Sequence, residues 1–102
     1  MTYEKFISVI EMYGKRLHGA GVPKIRIDTK RTFASLKKEE ILAHAHYLID
    51  GAKELAKANN QRRMGSHLTA IQMCLSFAGW YTLQDIMDHN YDPSSNKEKS
   101  AK

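Results

Sequence analysis

Residues 62–80 read RRMGSHLTAIQMCLSFAGW, and the fold follows from how this stretch is interpreted. Met64, Leu68, Ile71, Leu75 and Ala78 recur at spacings of three and four, the period of one helical face. Ala70, Met73, Cys74 and Phe77 cover a second face. Ser66, Thr69, Gln72, Ser76 and Gly79 interrupt it, and all but Gln72 are small. A helix apolar nearly all round is buried nearly all round. The expectation is a helix from about Arg62 to Trp80, wrapped on every side either as the central strut of a bundle or with the help of a second subunit.

Upstream, Ser35 reads as the N-cap of a helix opening at Leu36, with Glu39 and Glu40 near the positive end of its dipole. Ile41, Ala45, Leu48, Ala52 and Leu55 form its apolar stripe, flanked by Leu42, Ile49 and Ala56, and it continues to about Ala58. Gly51 sits inside this pattern at a cost of about 0.5–1 kcal/mol relative to alanine, so a close backbone approach or a kink is expected there. Asn59-Asn60-Gln61 separates this helix from the next. Before it, Phe6, Val9, Ile10, Tyr13 and Leu17 mark a first helix, from an N-cap at Thr2 to about His18. Gly19-Ala20-Gly21 and Pro23 end it. Downstream, Thr82 and Asp85 have capping-box spacing for a short fourth helix holding Leu83, Ile86 and Met87 and stopping near Asn90. Residues 92–102 are polar, Ser/Lys-rich and without apolar anchors, and read as a disordered tail.

The stretch from Val22 to Phe33 alternates apolar and polar residues like a strand, yet no second such run exists to pair with it. It is expected to be an extended basic linker that pins Ile25, Ile27 and Phe33 onto the helices while its lysines and arginines face water. A hairpin, or an edge supplied by another copy, is the alternative. The fold class is therefore all-α: one domain over residues 1–91, built as a small bundle of three main helices plus a short C-terminal helix.

With 102 residues, 42% hydrophobic and 26% charged, the chain is the size and composition of a single globular domain. Its longest uncharged run, Met64 to Gln84, carries too many polar residues for a membrane span, and the start, Met1-Thr2-Tyr3-Glu4-Lys5-Phe6, lacks the features of a secretory signal. Cys74 is the only cysteine and reads as a buried, inert thiol. The expected compartment is the reducing cytoplasm. The formal net charge is +5 and the isoelectric point about 9.4, and between Lys15 and Lys38 eight basic residues face a single acid, Asp28. That lopsidedness favours an anionic partner.

No catalytic constellation is expected, and no cofactor. His44 and His46 lie two apart and cannot chelate from one helix face, and His46 with Asp50 has the right spacing but no further ligand. A side-chain hydrogen bond is the simpler role. Ser66 and His67 lack the glycine-flanked elbow of a hydrolase nucleophile. Gln61, Arg62 and Arg63, at the start of the third helix, are candidates to hold phosphate, because free backbone N–H groups and two guanidiniums coincide there; His67 stands one turn further on. Lys24, Arg26, Lys30 and Arg31 are candidates to track a phosphate backbone, although Phe33 is the only aromatic within that run. Trp80 and Tyr81 are candidates for a pocket mouth or, more simply, for core.

The run from His44 to Gly51, HAHYLIDG, then MGSHLTAIQ from Met64 and FAGWYTLQDIMDHN from Phe77 to Asn90 resembles small uncharacterised accessory proteins of tailed bacteriophages, over about half the chain. The resemblance implies a non-enzymatic protein of the host cytoplasm that inhibits or sequesters a host component, such as a host protein or a phosphorylated small molecule, a nucleotide signal included. It carries over no catalytic residue. A nucleic-acid-binding module using the basic face is the alternative, and self-association through the third helix is expected.

Overall fold

The computed structural model describes residues 1–92, and the expected tail from residue 93 onward lies outside them. Asp92, the first residue of that expected tail, is buried instead, and its carboxylate accepts the backbone N–H of Thr2 at 3.1 Å. The described chain forms four helices and no strand: α1 (Tyr3–Gly19), α2 (Lys38–Lys57), α3 (Gln61–Phe77) and α4 (Leu83–Asn90). A single 3₁₀ turn, Phe33–Ser35, precedes α2. Among these residues no helix is long and apolar enough to cross a membrane.

The three long helices stop by the same chemistry. In α1 the N–H of Gly21 donates to the His18 carbonyl and that of Val22 to Leu17. In α2 the pairs are Asn59 to Ala56 and Asn60 to Leu55, and in α3 they are Gly79 to Ser76 and Trp80 to Leu75. Each is a Schellman closure, and each needs one residue at positive φ: Gly21 at 72°, Asn59 at 53° and Gly79 at 83°. Gly79 therefore ends α3 at Phe77, one turn short of the expected Trp80. The α2 start also differs from expectation. Ser35 belongs to the 3₁₀ turn, where its hydroxyl donates to the Thr32 carbonyl, and the N-cap is Lys37, whose backbone N–H donates to the Glu40 carboxylate at 2.9 Å. Thr82 and Asp85 cap α4 reciprocally, as their spacing predicts.

α2 packs on both α1 and α3, and α1 also meets α4. The core gathers Phe6, Val9, Ile10, Tyr13 and Leu17 from α1 with Ile41, Ala45, Ile49, Ala52 and Ala56 from α2 and Met64, Leu68, Ile71, Cys74 and Leu75 from α3. Three of the five α2 residues are alanine, which lets neighbouring backbones come close. Gly51 serves a side chain, not a neighbouring backbone: a Cβ there would stand 3.1 Å from Nε2 of His67.

α3 is not wrapped on all sides. Ser66, Thr69 and Ala70 are exposed, Met73 is half-buried, and Phe77 is 64% exposed. Most of this open stripe is small or hydroxyl-bearing, and Phe77 is its one large exposed residue. Gln72, the residue that interrupts the expected apolar surface, is buried. Its amide donates to the Tyr13 hydroxyl at 3.0 Å and to Oδ1 of Asn90 at 2.7 Å, and its oxygen accepts from Asn90 at 3.2 Å. The Tyr13 hydroxyl also bonds Nδ1 of His89 at 2.8 Å. This polar knot, with Ile86, attaches α4 to the bundle.

Candidate functional site

The basic linker is ordered as a strap across the first half of α2. The N–H of Ile25 donates to the Ala43 carbonyl at 3.1 Å, the N–H of Ile27 donates to Nδ1 of His44 at 3.4 Å, and Nδ1 of His46 donates to the Val22 carbonyl at 2.7 Å. Asp28 folds the next turn by accepting the backbone N–H of Lys30, and Arg31 ties the turn to α2 by bonding Glu40 and the Ser35 carbonyl. Backbone groups, histidines and two ion pairs, Lys24 with Asp50 and Arg31 with Glu40, hold the strap, in place of the expected apolar anchors. Ile25 is 56% exposed and Phe33 43% exposed, and only Val22 and Ile27 are partly covered. The alternating residues face water here because an extended chain lying on one helix has only one covered side.

Two of the strap's cations are neutralised, Lys24 by Asp50 at 3.0 Å and Arg31 by Glu40. Glu40 sits below the usual carboxylate range because the Lys37 N–H and the Arg31 guanidinium both bond its charged form. Arg26, Lys30, Lys37 and Lys38 make no ion pair among the described residues. An aromatic pair lies at the start of α2, beside Lys38. Phe33, from the 3₁₀ turn, stacks on Phe77, from the end of α3, with ring centres 6.0 Å apart and planes 14° from parallel. The Lys38 ammonium reaches Gly79, two residues beyond Phe77. Two exposed, nearly parallel rings thus sit near the Lys38 ammonium on a surface that an anion carrying a flat ring system can cover. The sequence pointed to Phe33 as the only aromatic in the basic run; its partner lies 44 positions away and came under the expected buried face of α3.

The other candidates fall elsewhere. Arg62 and Arg63 are exposed on the first turn of α3, where the Asn60 side chain already accepts the Arg63 N–H at 3.2 Å. His67 is half-buried over Gly51, and burial, assisted by the Arg63 charge, pushes its pKa down. Gly51, beneath His67, directly follows Asp50, which Lys24 of the strap bonds, and Arg62 and Arg63 lie further along at the start of α3. The seven cationic and histidine candidates therefore lie on two segments, the strap and the first two turns of α3. Trp80 and Tyr81 are anchors: the Arg16 guanidinium lies 4.4 Å and 4.8 Å from their ring centres, and Tyr81 meets His89 edge-on. His46 makes the expected side-chain hydrogen bond, but to Val22, while Asp50 goes to Lys24. Among the described residues no group of three or more His, Cys, Asp or Glu could hold a metal ion. Cys74 is fully buried, and burial pushes its thiol up to about 11.

No family model matches this chain, and no curated protein or solved structure matches it.

Proposed function

We propose that this domain is a non-enzymatic binding module for single-stranded nucleic acid, with Phe33 and Phe77 as a stacking platform and Arg26, Lys30, Lys37 and Lys38 as phosphate contacts. The stacked, exposed Phe33–Phe77 pair carries the proposal. Charge alone would suit any polyanion, whereas bases stack on flat rings regardless of sequence, and each such contact contributes about 1–3 kcal/mol. A duplex hides its bases, so the single strand is the form this surface fits. In the setting that the resemblance to phage accessory proteins implies, the sequestered host component would be a nucleic acid.

The test is fluorescence anisotropy with a labelled oligouridylate over a salt series. Four phosphate contacts give a slope of log K against log salt of about −3. Replacing both Phe33 and Phe77 by Ala weakens binding about tenfold or more with the slope unchanged, and duplex RNA binds more weakly than the single strand. Binding that survives the double substitution, or that is absent at low salt, overturns the proposal.

A further inference from the structure

We infer a second ligand site, independent of the aromatic platform: a groove between α1 and α2 that takes the phosphate of a phosphorylated small molecule with a hydroxyl-bearing carbon frame. The groove has a volume of about 340 Å³, at the lower end of the usual range for small-molecule sites. Gly14 and Ile49 form part of its lining, and a Cβ at position 14 would stand 3.5 Å from Ile49. A glycine in mid-helix costs stability. Here it leaves the groove open, since any longer side chain at position 14 would grow into it.

His46 is the decisive residue. It is 5% exposed, yet it lines the groove. The Val22 carbonyl can only accept, so Nδ1 carries the proton of that bond, and Nε2 is the atom left over. Among the described residues no group bonds Nε2 and no buried polar side-chain atom lacks a partner, so Nε2 retains access to the groove that His46 lines. A polar atom on a buried, fixed ring is thereby presented to whatever enters. Around it α1 supplies Glu11, Lys15 and His18, the strap supplies Lys24, and α2 supplies Asp50 and Lys53. Asp50 is engaged by Lys24, which leaves Lys15 and Lys53 free to meet a phosphate. Glu11 remains to accept from hydroxyl groups. With Nδ1 committed to the Val22 carbonyl, Nε2 of His46 is placed to hydrogen-bond a ligand hydroxyl. The mixture of two free ammoniums, an imidazole and one free carboxylate fits a sugar phosphate or nucleoside monophosphate better than a bare polyanion.

The experiment is amide and imidazole NMR shift mapping of the full chain, titrated with inorganic phosphate and, separately, with ribose 5-phosphate. Saturable shifts confined to Gly14, Lys15, His46, Ile49 and Lys53 are expected, with ribose 5-phosphate binding at least tenfold more tightly than inorganic phosphate. His46→Asn keeps a donor for the Val22 carbonyl and removes Nε2, and Gly14→Leu fills the groove with a better helix former. Each variant weakens ribose 5-phosphate at least tenfold with the fold's spectrum retained. Phe33→Ala with Phe77→Ala leaves it unchanged, so this site and the single-strand site fail separately. Shifts spread over all the surface lysines, equal affinity for the two probes, or full binding by either groove variant overturns the inference.

Discussion

Replacing Gln72 by Leu tests whether a polar knot, rather than apolar packing alone, attaches α4. The substitution conserves volume closely and removes three hydrogen bonds, two to Asn90 and one to Tyr13. Each contributes about 1 kcal/mol net, and more where a buried partner is left unmatched. Tyr13 keeps its bond to His89, and Asn90 borders a groove that admits water, which limits the loss. The expected destabilisation is therefore about 2–3 kcal/mol, or about 10–20 °C in Tm for a domain of this size. The assay is urea unfolding followed by circular dichroism, paired with calorimetry. Tyr13→Phe, which breaks two bonds but leaves Gln72 joined to Asn90, should cost about half as much. Near-neutral behaviour of Gln72→Leu, within about 0.5 kcal/mol of the parent, refutes the assignment, because surface substitutions fall in that range.

Three further outcomes follow from the buried and histidine groups. Burial holds the Tyr13 phenol neutral and raises its pKa from 10.0 to about 12; the stability this confers is complete below pH 10 and is lost as pH rises towards 12, which urea midpoints across that window will show as a steady fall. Cys74, raised to about 11 by burial, should react with Ellman's reagent in the native protein at least a hundredfold more slowly than in denaturant, and equal rates would mean that the α3 core is open. His44 is depressed by burial and by the Arg26 charge, and it accepts the Ile27 N–H as the neutral ring. Its folded form binds fewer protons, so strap stability is present above the ordinary histidine pKa of about 6.5 and declines below it. Hydrogen exchange at Ile25 and Ile27, corrected for intrinsic rates, should speed up over that window, and His44→Gln should abolish the pH dependence.

The helices are legible in the sequence because both their apolar periods and their stops are local chemistry: Gly21 and Asn59 take left-handed angles, and Thr82 with Asp85 closes a cap. Local signals mislead where a contact is distant. Ser35 has the composition of an N-cap, but Arg31 crosses the intervening turn to bond Glu40, and the helix starts three residues beyond Ser35 at Lys38. On α3 the small residues count as apolar in a periodicity argument although they lose little by facing water, so the helix looked buried all round. The one large polar residue there, Gln72, looked like an interruption and is the centre of the knot. Lys30 and its basic neighbours were readable from composition, while the Phe33–Phe77 stack and the Gly14–His46 groove join residues more than thirty positions apart and leave no local trace.

The most direct measurement of the proposed function is photocrosslinking of the full chain to a 5-iodouridine-substituted single strand, with the attached peptide identified by mass spectrometry. The account predicts adducts on Phe33 or Phe77, lost when excess unlabelled single strand is added and undiminished by excess duplex. Adducts concentrated at Arg62 and Arg63, or scattered without preference over the surface, would contradict it.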